Sequence, residues 1–335
     1  LMKFDEIDEK YLPIIIKALD NDTPWLVNVL GDINSPAAAE EAVKRYLYSN
    51  SAPHNQEFNA LKNSGNLAVP YIIEALKCEI ACPNGYIYNF GRVVVKIKAD
   101  RNYLLSSFEK LISDKGLSDE IVAGAIDVIA FLEEDALAIE PTLTKLLKER
   151  PSLEYPINNA FIAMGTSRGI ELLIGSVQTN PAAYNIIEIA KKGTKAYEAA
   201  PVLINSIVSG SSEVRILAAR ALGFIGNASA IPPLVELLTE RFDVELNITA
   251  TQSLAMLGEK TSLIPLEEIK KSHWYPPVRK AAEEAILVIE GTKQLDASDD
   301  ALRAQSAFMR NHFMTEKMCE AITLTRKYVY PESKL

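Results

Sequence analysis

The sequence predicts an all-α chain wound as a right-handed solenoid (an α-α superhelix) of about nine two-helix repeats, and three observations predict it. Apolar residues recur at helical spacing through most of the 335 residues. The same pattern returns every 32 to 34 residues along nearly the whole chain. Prolines and glycines stand where those helices must begin and end.

The clearest unit is VRILAARALGFIG, Val214 to Gly226, in which Val214, Ala218, Ala221, Leu222 and Ile225 share one helical face and Gly226 stops the helix. IPPLVELLTERF follows, with Pro232 and Pro233 in its first turn, where a missing backbone N–H does least harm, and Leu234, Leu237 and Leu238 on one stripe. LNITATQSLAMLG ends at Gly258 and VRKAAEEAILVIE near Glu290. The same template places earlier ends near Gly31, Gly65, Ala99, Glu133, Gly165 and Gly193, so that successive ends lie 34, 34, 34, 32, 28, 33, 32 and 32 residues apart. The interval of 28 marks a deletion or a shift in phase. Pro70, Pro141, Pro201 and Pro265 follow these ends and open apolar helices. GRVVVKIKA, Gly91 to Ala99, is the one β-branched run, and its phase makes it a second helix. A two-helix unit of this size cannot bury its apolar stripe alone, whereas stacked units share a continuous core. The period breaks after Gly291. Residues 1–291 are therefore expected to form the repeat solenoid, and 292–335, with Leu302, Phe308, Met309, Phe313, Met318 and Ile322, a C-terminal helical cap or a tail for a partner.

Thirty-five Lys and Arg against 44 Asp and Glu give a formal net charge of -9, which argues against nucleic acid as the ligand, because such binding needs a basic surface. No apolar run reaches a membrane span, and LMKFDEIDEK carries acids where a secretory signal carries bases, so a cytoplasmic protein is expected, most simply a monomer. Leu1 ahead of Met2 leaves an upstream segment open. Cys78, Cys82 and Cys319 are not a disulfide framework, and His54, His273 and His312 lie apart from one another. No phosphate-binding glycine loop or nucleophile elbow occurs. Neither a metal, a cofactor nor a catalytic residue is expected. The acidic groups Glu133, Glu134 and Asp135, and Asp296, Asp299 and Asp300, fall in links and read as solvated surface.

The string V-R-x-x-A-A-x-A-L-G-x-I-G, carried by Val214, Arg215, Ala218, Ala219, Ala221, Leu222, Gly223, Ile225 and Gly226, resembles the HEAT-like repeat of phycobilin lyase subunits. Val278, Arg279, Ala281, Ala282 and Ala285 match it again. The resemblance implies an armadillo-like helical repeat and a style of binding, since the family includes bilin lyases, scaffolds, adaptors, immunity proteins and some enzymes. The HEAT-like iron hydroxylases carry paired His-Glu motifs, and no His-Glu dipeptide occurs here. HEAT-like DNA glycosylases need a basic groove with aromatic residues, which the charge opposes although Trp25 and Trp274 could supply rings. Arg215 and Arg279, at the family's Arg position, are expected to pair with acids or helix ends of adjacent repeats.

On the second helix of each repeat, positions 12, 8, 4 and 1 before its end face the core, and positions 6 and 2 before it point away. Those positions hold Trp25 and Val29, Asp127 and Phe131, Asn159 and Ala163, Arg220 and Phe224, Gln252 and Met256, and Glu284 and Val288. Aromatic and Met side chains among polar ones are typical of protein-binding surfaces. The expected function is thus a non-catalytic scaffold, adaptor or inhibitor that holds a protein on its concave face; the alternatives are a bilin-lyase-like chaperone or an immunity protein neutralising a basic toxin.

Overall fold

The computed structural model describes residues 8–20, 26–48, 55–79, 86–240 and 242–293, and among these it contains eighteen α-helices and no strand. Trp25, Cys82, His54 and the candidate cap or tail beyond Lys293 lie outside the described residues. The chain divides into two units, Leu1–Gly169 and Ile170–Leu335. The first holds α1 (Leu12–Leu19), α2 (Val27–Leu30), α3 (Pro36–Tyr48), α4 (Asn55–Ser64), α5 (Val69–Glu79), α6 (Tyr86–Lys96), α7 (Arg101–Ile112), α8 (Asp119–Ala130), α9 (Glu140–Glu149) and α10 (Glu154–Met164). Helix α11 (Ser167–Thr179) runs across the boundary, and the second unit continues with α12 (Ala183–Lys191), α13 (Ala200–Ser209), α14 (Ser212–Ile225), α15 (Ile231–Leu237), α16 (Val244–Leu257), α17 (Leu263–Ser272) and α18 (Pro276–Ile289).

Within each unit the even-numbered helices lie side by side in chain order. Helix α2 packs on α4, α4 on α6, α6 on α8 and α8 on α10; in the second unit α12 packs on α14, α14 on α16 and α16 on α18. Most odd-numbered helices pack on the even helix that follows them: α3 on α4, α7 on α8, α9 on α10, α13 on α14, α15 on α16 and α17 on α18. An even helix in mid-stack therefore has neighbours on three sides. That explains why Leu217, Ala218, Ala219, Ala221, Leu222, Gly223 and Ile225 of α14 are all buried, a far wider face than one amphipathic stripe requires.

Local chemistry sets the period. Three second helices begin at side-chain caps: Ser118 accepts the Ile121 N–H, Ser211 the Val214 N–H and Asp243 the Leu246 N–H. Seven of the nine described second helices end at or within three residues of a left-handed residue, with φ positive at Gly65, Glu133, Gly165, Gly193, Gly226, Gly258 and Gly291, whereas α2 stops at Gly31 with φ -72°. Six of these seven are positions where the sequence placed a helix end, and the seventh is one residue beyond Glu290. Glu133, at φ 48°, is the one non-glycine with positive φ among the described residues. Because a Cβ in that region costs about 1 kcal/mol, Glu133→Gly is expected to raise the thermal midpoint. A lowered midpoint would show that the Glu133 side-chain contacts outweigh its backbone strain.

The β-branched run is helical as expected, in α6, but that helix stops at Lys96 and not near Ala99. Asp100 already caps the next helix by accepting the Tyr103 N–H at 2.8 Å, which leaves no room for a left-handed link. The Arg101 guanidinium takes over the closing role, donating to the Val94 carbonyl at 3.0 Å.

Candidate protein-binding face

Between its flanking helices, α14 leaves a narrow stripe open. Arg220 and Phe224 are half-buried while the residues on either side of each, Ala219, Ala221, Gly223 and Ile225, are fully buried. The repeat carries this stripe from helix to helix. In the first unit Asp127 on α8 and Phe131 at its C-terminus are half-buried, and so are Asn159 and Ala163 on the adjoining α10. In the second unit Arg220 and Gln252 occupy the same register on adjoining α14 and α16, as do Phe224 and Met256. Met256 is half-buried, whereas Gln252 is only 7% exposed and has polar partners, so it belongs as much to the packing of α16 as to the face. Glu284 on α18 is half-buried and pairs with Lys293 at 3.3 Å.

Phe131 is tied to its neighbour. A Cβ built on Gly91 would lie 2.3 to 2.7 Å from three of its ring atoms, so the ring rests flat against the bare backbone of α6. Gly91→Ala is therefore expected to push this ring out of its seat, and the change should appear as a shifted Phe131 ring resonance with a lowered melting point. An unshifted ring would mean that the backbone of α6 gives way instead.

Three polar side chains of the first unit are uncommitted. Asp127 has no hydrogen bond or ion pair among the described residues; Asn159 has none; and Asn158 buries its Oδ1 with no partner. Burial alone pushes the Asp127 carboxyl above its ordinary value. A group whose folded pKa exceeds its unfolded one is favoured in the folded state when protonated, so the stability it confers is present below the ordinary carboxylate range and lost as pH rises through the raised pKa. Asp127→Asn is thus expected to melt higher than wild type at pH 7, with the difference closing as the pH falls to about 3. A variant less stable than wild type at neutral pH would mean that the carboxylate has a partner.

The Arg position has the structural role expected of it. The Arg215 Nε donates to the Ile207 carbonyl at 2.7 Å, at the end of α13, and its guanidinium pairs with Glu240. Arg279 Nη1 donates to the carbonyls of His273 at 2.7 Å and Trp274 at 3.1 Å, just past α17. Between them in register stands Asn247, fully buried, whose shorter side chain donates through Nδ2 to the Leu237 carbonyl at 2.8 Å. Its Oδ1 meets His273 Nε2 at 3.0 Å, and His273 Nδ1 accepts the Tyr275 N–H at 3.1 Å. Because a backbone N–H can only donate, Nδ1 is the acceptor and the ring proton sits on Nε2. Sequence reasoning passed over this pair; the substitution of Asn at an Arg position 32 residues from each Arg was the available signal.

Among the described residues no three of His, Cys, Asp and Glu are grouped so as to hold a metal ion, and no single helix is long and apolar enough to cross a membrane.

Paired helices, left-handed stops and stacked second helices define a helical-repeat protein. The family of HEAT repeats matches residues 200–286, a stretch that takes in α13 to α17 and most of α18. The chain is 34% identical over 84 residues to the bilin biosynthesis protein PecE of Mastigocladus laminosus. That match takes in 25% of this chain and 31% of the relative, less than a third of its length. The structure of human deoxyhypusine hydroxylase in complex with glycerol shares 15% identity and aligns over 76% of this chain and 97% of its own, with a TM-score of 0.33, too low to bear on fold or activity.

Proposed function

We propose that this chain is a non-catalytic adaptor or inhibitor, a right-handed solenoid of about nine repeats that holds a protein on the open stripe of its second helices. One observation carries the reading: on helices whose other faces are occupied by neighbours, the register left open bears Asp127, Phe131, Asn159, Arg220, Phe224, Met256 and Glu284, a mixture of rings, sulfur and charge in place of the uniformly charged surface of a solvated helix. Rings and Arg in such positions are the residue types that dominate binding energy at protein interfaces. A monomeric, cytoplasmic protein with a formal net charge of -9 suits a partner of opposite charge, including a basic toxin.

Affinity capture from lysate with wild type, Phe224→Ala and Lys145→Ala tests it. Lys145 is exposed on α9, with only a weak contact to Glu149 at 3.8 Å. Phe224→Ala is expected to weaken the captured complex at least tenfold, and Lys145→Ala to leave it unchanged. Equal losses at both positions, or none at Phe224 in protein shown to be folded, would move the site off this face. The likeness to a bilin biosynthesis protein supports a second reading, a bilin-binding chaperone. A coloured, stoichiometric complex with free bilin that no protein partner displaces would favour it.

A further inference from the structure

We propose that Asp127 on α8 and Asn159 in the same register on the adjoining α10, with Asn158 beside it in sequence, form the seat for an arginine side chain presented by the partner protein; this rests on the protein-binding reading of the face and names what that face recognises in the first unit.

Polar groups placed beside a core are normally satisfied, and those left over call for a cause. Along the second-unit stripe every polar side chain has some partner, since Arg220 and Gln252 have theirs and Glu284 has Lys293, although the Arg220 Nε and Glu284 Oε2 atoms are buried without a hydrogen bond. The first-unit register differs. Asp127 stands half-buried with no donor or cation on it among the described residues, and Asn159 lies in the same register on the adjoining helix, also without a bond. Asn158, beside Asn159, keeps an unpartnered carbonyl oxygen out of water. The unmet demand is for donors. A carboxylate and two carboxamide oxygens accept several N–H groups at once, and the group with several donors in one plane, always charged, is guanidinium.

The flanking residues suit the same guest. The Phe131 ring follows Asp127 by one helical turn, seated on Gly91, and Tyr155 precedes Asn158 and Asn159 by one turn with its side chain 77% exposed. Aromatic faces beside a carboxylate attract a planar cation by stacking and cation–π interaction, which an ammonium exploits less well. The protein as a whole carries a net charge of -9, which draws a basic segment toward it. A free carboxylate on this stripe is also expensive to keep, since burial opposes its charge. A bound cation removes that cost.

Panning a phage library of random twelve-residue peptides against the full chain tests the proposal without knowledge of the natural partner. Enriched peptides are expected to share an arginine, to lose at least tenfold in affinity when it is replaced by citrulline, and to lose as much on Asp127→Asn, a variant expected to melt no lower than wild type. Asp127→Lys should enrich instead for peptides with Asp or Glu at that place. Peptides that resist Asp127→Asn yet weaken with Phe131→Ala or Phe224→Ala would keep the binding face and overturn the arginine seat. Peptides indifferent to all three substitutions, or a library that yields none, would overturn both. Free arginine amide or spermidine that binds as tightly as the peptides, with the same dependence on Asp127, would show a small-molecule cation site and likewise overturn the assignment to a protein segment.

Discussion

His273→Ala is expected to be among the most damaging single substitutions in the second unit, lowering stability by about 3 kcal/mol or more. The side chain is 1% exposed and spans two elements, accepting the Tyr275 N–H at the start of α18 and donating to Asn247 on α16. Its removal leaves the fully buried Asn247 Oδ1 without a partner, at about 1 to 3 kcal/mol, takes the acceptor from the half-buried Tyr275 N–H, and adds a cavity. Urea denaturation measures the loss, and a double-mutant cycle with Asn247→Ala apportions it. If the two effects were additive within about 0.5 kcal/mol, the bond would contribute nothing and the loss would be packing alone. Phe or Leu at 273 would fill the space yet still strand Asn247, so a destabilisation that persists with those residues identifies the hydrogen bonds as the cause.

Why the sequence announced the period but not this pair is a matter of range. A helix stop at Gly226 or Gly258 and a first-turn proline at Pro232 or Pro265 are local demands on φ and on a missing N–H, and they show in any window of a few residues. Even Glu133 was placed correctly, since the interval called for a stop there although the residue type did not. His273 and Asn247 lie 26 residues apart and are useful only together. The face was readable in part. A helical wheel separates inward from outward, and it places Arg220 and Phe224 opposite the core, where the structure has them half-buried. It assumes one buried side, whereas an even helix here is covered on three, which is why Gln252 is nearly enclosed and Phe131 lies on Gly91. The lack of any partner for Asp127, Asn158 and Asn159 is a statement about every other residue nearby, and no single-chain pattern contains it.

The close stacking of second helices leads to the other large expected effect. A Cβ on Gly223 would lie 3.0 Å from the Cα of Ser253 and 3.1 Å from its Cβ, so α14 and α16 meet there almost backbone to side chain. One repeat later the same register holds Ala255, buried against α18, and one repeat beyond that Leu287, 37% exposed, with no described helix beyond it. Side-chain size at this register thus follows the presence of a neighbour. Gly223→Leu must drive α16 away or twist out of its rotamer, and because the obstacle is the Ser253 Cα with the Cβ fixed to it, the loss is expected at or above the upper end of the usual overpacking range of about 1 to 3 kcal/mol. Ala221→Leu, at a fully buried position on the same helix, should fall within that range. Leu287→Ala should cost about 1 kcal/mol or less, since little is buried there. Thermal melting ranks the three, and a Gly223→Leu midpoint no lower than that of Leu287→Ala would mean that α14 and α16 do not approach closely in solution. Because Arg220 and Phe224 ride on α14 beside Gln252 and Met256 on α16, a widened stack would also separate the residues of the binding face. The folded fraction of Gly223→Leu should therefore bind its partner more weakly than the folded fraction of Leu287→Ala, which links the spacing of the helices to what they hold.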